Sequence, residues 1–283
     1  MSTHTGADRP DDPAIPTARH IETADLRDLV RSELPLVLAE LHRGLDVDAP
    51  VELRFDGEPD ARRSDDGLAD SSSPPLQTQQ LIDVVEGAGF AVDDIVTSTP
   101  GPSGPASVEV GATRLWQLPD HVGADMRMLL VGLNPSPAAA DRGVGFARPG
   151  NRFWPAMAAA GLATVDRDPR HLLREHRIGM TDLVKRTTRR ADELSVDEYR
   201  TGLERLERLV AWTRPGAVCM IGLGGWRAAV DRTATTGVQE RLVASRPVYV
   251  MPNPSGLNAN HQLPDFVNHL QAAAALGSSP RYS

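Results

Sequence analysis

The chain has 283 residues, of which 24% are charged, and a formal net charge of −8. This length is enough to bury a substantial core in one large or two modest domains. The single cysteine, Cys219, excludes an internal disulfide, a cysteine-rich zinc site and a cysteine-ligated iron–sulfur cluster, so we expect a protein of the reducing cytoplasm.

The two parts of the chain carry opposite charge. Residues 1–113 hold 8 Arg and 22 Asp and Glu, a formal charge of −14, whereas residues 114–283 hold 22 Lys and Arg and 16 Asp and Glu, a charge of +6. A basic part joined to an acidic part indicates that only the basic part meets a polyanion, although a solvated surface without a partner is equally compatible. No segment approaches the roughly 18 uninterrupted apolar residues of a membrane span, so no membrane partner is expected.

The first part of the chain predicts a small mixed domain. Residues 1–20 are rich in Pro, Asp and Thr without hydrophobic periodicity, which is typical of a disordered terminus. The elements predicted next are a helix over 24–45, a strand over 50–55, a loop over 63–75, a helix over 76–89, and strands over 90–99 and 106–115. This order resembles the closing part of a class I methyltransferase fold. The glycine-rich loop that would bind S-adenosylmethionine is missing, so we expect a degenerate accessory α+β domain over residues 21–112.

From residue 114 onward, apolar strands alternate with helices. The strands are predicted over 126–134, 216–225 and 246–256, and the helices over 151–162, 171–183 (running into a loop), 195–214, 226–232 and 263–276. Ser195 lies three residues before Glu198, the spacing of a capping box at a helix start. Such alternation predicts a parallel sheet covered by helices on both faces, with ligands bound beyond the carboxyl ends of the strands.

Two of these strands end in Asn-Pro: Asn134-Pro135 in "GLNPSP" and Asn253-Pro254 in "MPNPSGL". Both asparagines are therefore expected on the same rim of the sheet. A following proline disfavours the helical conformation of the asparagine and stiffens the exit, which directs the side chain. On its own, each pair is more often an ordinary loop opening.

Four blocks together carry a more specific signal: "GLNPSP", "GVGFARPGNRFW", "GMTDLVKRTT" and "VMPNPSGL". In their order and spacing they resemble the mismatch-specific uracil/thymine DNA glycosylases, a branch of the uracil-DNA glycosylase superfamily, over about residues 118–276. The resemblance implies an α/β fold, a three-layer sandwich with a central, mainly parallel sheet, forming a DNA glycosylase domain over residues 113–283 behind the small accessory domain.

The resemblance also implies an activity and a set of site residues. The activity is that of a monofunctional glycosylase of base-excision repair, which extrudes uracil, thymine or a related damaged base from a mispair with guanine and excises it without a cofactor or metal ion. Asn134 matches the residue that orients the attacking water, Phe146 the stacking aromatic and Leu257 the wedge that fills the vacated space. The expected base pocket comprises Leu133, Phe146, Asn151 and Ser255; the strand contacts Asn253, Pro254, Gly256, Leu257 and Asn258; and the phosphate contacts Lys185 and Arg186. The implied partner is double-stranded DNA with mispaired or damaged bases, bound by a monomer associated with the nucleoid in the cytoplasm.

The sequence departs from the family pattern at Ser136 and over 258–261, which leaves the preferred base open. Two alternatives also remain. One is a protein that binds mismatched or damaged DNA without catalysis. The other is a dinucleotide site at "IGLGGWR", which lacks the third glycine of that fingerprint because Arg227 stands there.

Overall fold

The computed structural model describes residues 21–57, 78–98, 106–256 and 258–278. In chain order, the strands are β1 (Glu22–Asp25), β2 (Pro50–Asp56), β3 (Phe90–Ser98), β4 (Ser107–Arg114), β5 (Met128–Gly132), β6 (Ile178–Asp182), β7 (Val218–Ile221), β8 (Gly237–Val238) and β9 (Val248–Met251). The helices are α1 (Leu34–Gly44), α2 (Thr78–Gly87), α3 (Pro137–Arg142), α4 (Phe153–Ala159), α5 (Pro169–His176), α6 (Val196–Thr213), α7 (Leu223–Ala229) and α8 (Leu263–Gly277). The mixed α/β class expected from the sequence is confirmed.

The first unit is a four-stranded sheet in the order β1-β2-β4-β3, with α1 and α2 packed against it. Its core includes Leu38, Leu53 and Val85, each fully buried. The helix predicted over 24–45 is wrong in its first half, because residues 22–25 form β1 and pair in parallel with β2. Pairing between strands, which local apolar spacing does not report, overrides the helical pattern there.

The second unit is a five-stranded sheet in the order β6-β5-β7-β9-β8, parallel except for β8. Alternate side chains of β5 face opposite sides of the sheet. Leu129 and Val131 pack with the residues of α6 and α7, whereas Met128 and Leu130 pack with those of α4 and α8. Helices therefore cover both faces, and the carboxyl ends of the parallel strands open at one rim.

Strand β6 contradicts the prediction of a helix that runs into a loop. Helix α5 ends at His176, Arg177 takes a left-handed conformation with φ of 53°, and residues 178–182 then pair in parallel with β5. The register places Asp182 opposite Gly132. This edge strand therefore brings a carboxyl group to the end of β5, which the sequence analysis did not anticipate.

The two units meet at α6. Arg208 of α6 makes a double hydrogen bond to Asp83 of α2 at 2.6 and 2.9 Å, and Trp212 packs against the cores of both units. Strand β4 continues through Arg114, so the first sheet ends slightly beyond the predicted boundary at 112. Among the helices within the described ranges, none is long and apolar enough to cross a membrane.

Candidate active site

Asn134 lies just beyond the carboxyl end of β5, where the chain stays paired with the segment that follows β6. The amide of Val184 donates to the carbonyl of Leu133 at 3.0 Å, and the amide of Thr188 donates to the carbonyl of Pro135 at 3.1 Å. Two loop segments that would otherwise leave the sheet separately are thus held side by side. These two hydrogen bonds fix the backbone on both sides of Asn134, independently of the contacts of its side chain.

The side-chain amide of Asn134 has one orientation. Its Nδ2 atom donates to the hydroxyl oxygen of Thr188 at 2.7 Å and to the carbonyl of Arg186 at 3.0 Å. Because the hydroxyl of Thr188 donates its own proton to the carbonyl of Arg190 at 2.8 Å, its oxygen must accept from the amide nitrogen. Within the described residues, Oδ1 of Asn134 has no donor, so a half-buried acceptor is presented beyond the sheet.

The glycine-rich loop after α3 presents Phe146 to the same rim. Phe146 has φ of 58°, a left-handed conformation that costs energy for a bulky residue and that recurs at ligand sites. Its ring stacks on Phe153 with centroids 4.3 Å apart and planes 30° apart. Trp154 anchors the loop by donating from Nε1 to the carbonyl of Gly145 at 2.9 Å. Both Phe153 and Trp154 are buried in the core.

The second Asn-Pro loop, after β9, is tied to the start of α4 by Arg152. Its guanidinium donates to the backbone carbonyls of Ser255 at 2.8 Å, Asn258 at 2.6 Å and His261 at 2.5 Å. Its backbone amide donates to the carbonyl of Pro254 at 3.0 Å. One side chain therefore sets the shape of this loop.

Asn253 and Asn258 organise this loop from within. The Asn253 side chain accepts from the amide of Ser255 at 3.0 Å, and Asn258 donates from Nδ2 to the carbonyl of Asn253 at 2.9 Å. A Cβ at Gly256 would lie 2.9 Å from the carbonyl oxygen of Gly150, so the second Asn-Pro loop touches the glycine-rich loop where Gly256 stands. Leu257, the predicted wedge, lies outside the described residues.

A cavity opens beside Phe146. Its walls include Gly145 and Phe146 from the loop after α3, Met180 and Asp182 from β6, and His121 from the segment before β5. A Cβ at Gly132 would overlap Oδ1 of Asp182 and would lie 3.3 Å from Cζ of Phe146. The carboxyl group and the ring therefore flank the same bare stretch of backbone at the end of β5.

A buried charge cluster lies behind this cavity. Asp120 accepts hydrogen bonds from Thr181 and Lys185, both at 2.7 Å, and is paired with Arg205 of α6. Burial alone would raise the pKa of Asp120, but Arg205 and Lys185 outweigh it and hold that pKa below its usual value. The backbone amide of Asp120 donates to the carbonyl of Gly87 at 2.8 Å, so the first unit seals the cluster from one side.

This cluster changes the assignment of Lys185. Its ammonium nitrogen, expected to contact phosphate, instead donates to Asp120 and to the carbonyl of Leu118 at 2.5 Å, and the side chain is only 11% exposed. A buried, paired ammonium group cannot reach a DNA backbone. Arg186 is exposed but is held by Glu198, which it contacts at 2.6 and 3.1 Å. A phosphate contact through Arg186 would therefore have to compete with that ion pair.

Three residues expected in the base pocket lie elsewhere in the structure. Leu133 points to the α6 and α7 side, where a Cβ at Gly225 would lie 2.7 Å from its Cδ1. Asn151 accepts from the amide of Phe153 at 2.9 Å and so starts α4, and Ser255 belongs to the second Asn-Pro loop. Of the expected pocket residues, the cavity wall contains Phe146.

The departure at Ser136 has a local explanation. Ser136 is the N-cap of α3 and accepts from the amide of Ala139 at 3.3 Å, with Pro137 following in the first turn.

The "IGLGGWR" segment is a tight turn from β7 into α7, with Gly222 at φ of 99°. Since α7 spans only residues 223–229, this turn offers little support for a dinucleotide site.

Sequence reasoning missed three polar residues: Asp182 in the cavity wall, Thr188 beside Asn134, and Asp120 in the buried charge cluster. Thr188 and Asp182 both lie in the quoted block "GMTDLVKRTT", but their place at the rim depends on strand β6, which the sequence analysis predicted as a helix running into a loop. Asp120 carried no motif signal, because its partners come from distant parts of the chain.

The cavity, the oriented asparagine and the two joined loops all lie within one continuous stretch of the chain. A family model described as the uracil DNA glycosylase superfamily matches residues 119–275, which is more than half of the chain. The matched range includes both Asn-Pro loops, Phe146 and all five strands of the second sheet. The chain belongs to the uracil DNA glycosylase superfamily.

Proposed function

We propose that this protein is a monofunctional DNA glycosylase that extrudes uracil from mispairs with guanine and hydrolyses its N-glycosidic bond. The observation that carries the proposal is the single orientation of the Asn134 amide, on the rim that also carries Phe146. In the part of the chain that the structure describes, this orientation leaves Oδ1 as an acceptor without a donor, beyond the end of β5. A water that donates a hydrogen bond to this oxygen would be held for attack on the sugar carbon.

The chemistry assigned to each group follows from what an extruded base requires. A base inside a duplex is unreachable, so it must leave the stack, and the ring of Phe146 offers a surface against which it can stack. Negative charge builds on the departing base, and backbone N–H groups of the loop around Gly145 are suited to stabilise it. An amide accepts protons poorly, so Asn134 acts by positioning water, and we expect slow turnover.

The state of Lys185 supports hydrolysis by water as opposed to attack by an amine. Lys185 is the only lysine in the chain, and its nitrogen is buried against Asp120 and the carbonyl of Leu118. A Schiff-base mechanism would need an amine that can reach the sugar carbon. We therefore expect borohydride to trap no covalent protein–DNA complex through this side chain.

Preference for mispairs is the finer part of the proposal. Extrusion costs least for a base that is already mispaired, so selectivity arises partly before the pocket is reached. Leu257, which matches the family's aliphatic wedge, lies in the sequence between Ser255 and Asn258, whose carbonyls Arg152 binds. Asn253, Pro254, Gly256 and Asn258 of the same loop, together with the exposed Arg186, are the proposed contacts to the DNA strand. A monomer bound to double-stranded DNA at the nucleoid is the proposed working state.

The test uses labelled duplexes that carry one G·U, G·T or A·U pair, incubated with the full chain and then heated in alkali. Strand scission above the protein-free control is expected for G·U and less for A·U. Asn134→Ala should abolish scission while leaving the affinity for duplex nearly intact. Retarded complexes without any scission would instead favour a protein that binds mismatched or damaged DNA without catalysis.

A further inference from the structure

We propose that Arg43 and Trp116 form a docking surface for single-stranded DNA beside the cavity, where the indole stacks on an unpaired base of the damaged strand and the guanidinium contacts a phosphate. The inference rests on the function proposed for the cavity and adds a class of substrate to it, uracil in unpaired DNA. Both residues precede the range 119–275 that matches the superfamily, so that match assigns them no role.

Trp116 is an exposed aromatic residue whose side chain is held in one direction. It is 42% exposed, whereas Trp154 and Trp226 are each 1% exposed. The indole Nε1 donates to Oδ1 of Asp141, on α3, at 2.9 Å. Because this hydrogen bond already fixes the ring, a base that stacks on it immobilises little further side-chain freedom.

Both units of the protein hold the backbone at Trp116. From the first unit, Nε2 of His42 in α1 donates to the carbonyl of Leu115 at 3.0 Å. From the second unit, the hydroxyl of Thr187 donates to the carbonyl of Trp116 at 2.8 Å. The residue after Thr187 is the one that orients the amide of Asn134, so Trp116 is fixed next to the segment that supports the proposed catalytic group.

Arg43, the residue after His42, supplies the positive charge of this surface. It is exposed, and its guanidinium makes no hydrogen bond or ion pair with any residue that the structure describes. A Cβ at Gly143 would lie 3.7 Å from Nε of Arg43, and Gly143 opens the loop that carries Phe146. Unlike Arg186, this arginine can contact a phosphate without first breaking an ion pair.

Both side chains lie close to the cavity. Leu118, two residues after Trp116, lines the cavity together with His121. Burial and, after it, the positive charge of Arg43 lower the pKa of His121 to about 4, which indicates that this arginine is near the cavity wall. The loop that carries Phe146 begins beside Arg43 and ends where it touches the second Asn-Pro loop. A strand whose extruded nucleotide enters the cavity would therefore have the proposed wedge on one side and this surface on the other.

The chemistry of this surface favours an unpaired strand. An aromatic ring beside a cation is the combination that holds single-stranded nucleic acid, because every base offers a π-face and every nucleotide a phosphate. In a duplex the bases are stacked on each other, so an indole can stack only on a base that has been released. The carboxylate of Asp141 is engaged by the indole, and the exposed Arg142 next to it offsets its charge.

The first experiment measures binding of the full chain to a labelled single-stranded oligonucleotide with one 2′-fluoro-2′-deoxyuridine, whose N-glycosidic bond resists hydrolysis. Fluorescence anisotropy gives Kd over a series of salt concentrations. Trp116→Leu should weaken binding about fivefold to a hundredfold without changing the dependence of log Kd on log salt, because the indole carries no charge. Arg43→Gln should weaken binding and reduce that slope by about 0.7, the contribution of one phosphate contact on a single strand.

A matched control is available at Arg232. This exposed arginine follows α7, which begins at the rim and runs away from it. Arg232→Gln removes the same charge from the chain as Arg43→Gln and should leave both Kd and the salt slope at the wild-type values. Equal effects of the two arginine substitutions would show that only net charge matters, and would overturn the inference.

Conservative variants separate stacking from a structural role of Trp116. Trp116→Phe keeps an aromatic face, so it should recover most of the affinity that Trp116→Leu loses. Asp141→Ala frees the indole and should weaken binding about threefold to tenfold, since the ring must then be immobilised on binding. If Trp116→Leu and Trp116→Phe lose affinity equally, stacking is not the cause and the inference is overturned.

The second experiment compares release of uracil from a single strand and from a G·U duplex, with protein below saturation. Trp116→Leu should slow release from the single strand about tenfold and release from the duplex less than about threefold. If wild type releases uracil but Trp116→Leu and Arg43→Gln bind the oligonucleotide as wild type does, the inference is overturned while the proposed function stands. If wild type releases no uracil but both variants bind the oligonucleotide more weakly, the proposed function fails while the docking surface stands.

Discussion

The side-chain nitrogen of Asn134 donates a 2.7 Å hydrogen bond to the hydroxyl of Thr188, a residue 54 positions further along the chain. The hydroxyl of Thr188 donates its own proton to the carbonyl of Arg190, so toward Asn134 it can only accept. If the Asn134 amide flipped, its oxygen would face this acceptor and the hydrogen bond to Thr188 would be lost. The orientation of the proposed catalytic group is thus decided by a residue outside the Asn-Pro motif.

Thr188→Val tests this relationship. Valine keeps the shape of threonine but removes the acceptor, so the amide of Asn134 should lose its fixed direction. We expect the single-turnover rate on G·U duplex to fall about tenfold to a hundredfold, with duplex affinity nearly unchanged. Thr187→Val is the matched control, since the hydroxyl of Thr187 bonds the carbonyl of Trp116 at 2.8 Å and does not reach Asn134. Equal losses in both variants would mean that the loop has misfolded.

Arg152→Lys tests how the second Asn-Pro loop is held. A lysine cannot span the three carbonyls that the planar guanidinium binds, so the loop should become mobile. We expect weaker binding of mismatched duplex and a free energy of unfolding that is lower by about 1–3 kcal/mol, measured by urea denaturation. Arg148→Lys, on the exposed part of the preceding loop, should change neither quantity. Unchanged duplex affinity in Arg152→Lys would show that this loop does not contribute to binding.

Asp120→Asn tests the buried cluster behind the cavity. The substitution leaves Lys185 and Arg205 buried without their counter-charge, which should lower the free energy of unfolding by about 3–5 kcal/mol at neutral pH. Since the folded-state pKa of Asp120 is lowered, its stabilisation is present above the unfolded pKa and is lost as the pH falls through the folded value. Wild type and variant should therefore converge in urea titrations carried into acid. A constant difference across that range would show that the charge of Asp120 is not the cause.

Leu257→Ala tests the wedge that the motif resemblance implies. A wedge matters only when a partner strand must be displaced, so release of uracil from paired duplex should fall about tenfold or more, whereas release from single-stranded DNA should change little. The ratio of the release rate on duplex to that on single-stranded DNA, measured with one protein preparation, is compared between wild type and variant. Equal losses on both substrates would argue that Leu257 supports the fold of its loop.

Much of the second unit could be predicted from local pattern. The apolar runs predicted as strands form β5, β7 and β9, the buried central strands, and the Asn-Pro exits of β5 and β9 follow directly from the sequence. Helix α6 begins where Ser195 and Glu198 form the expected capping box. These features depend on side-chain period and on groups within one turn of each other, so neighbouring residues contain the necessary information.

The misassigned elements are those whose stability comes from distant partners. Residues 22–25 form a strand only because β2 lies beside them, and β6 is a short edge strand whose pairing with β5 supplies its hydrogen bonds. Local spacing in both regions favoured a helix or a loop. Tertiary pairing decided otherwise.

The sequence by itself determined the alternating α/β order, the two Asn-Pro exits and the residues that match the superfamily's motifs, because these are properties of short contiguous stretches. Only the tertiary structure decided which atom of Asn134 is available, that Lys185 is buried against Asp120, and that Asp182 meets Phe146 across Gly132. Each of these depends on the direction of a side chain relative to groups more than thirty residues away, and hydrogen bonds and burial are properties of distances in space.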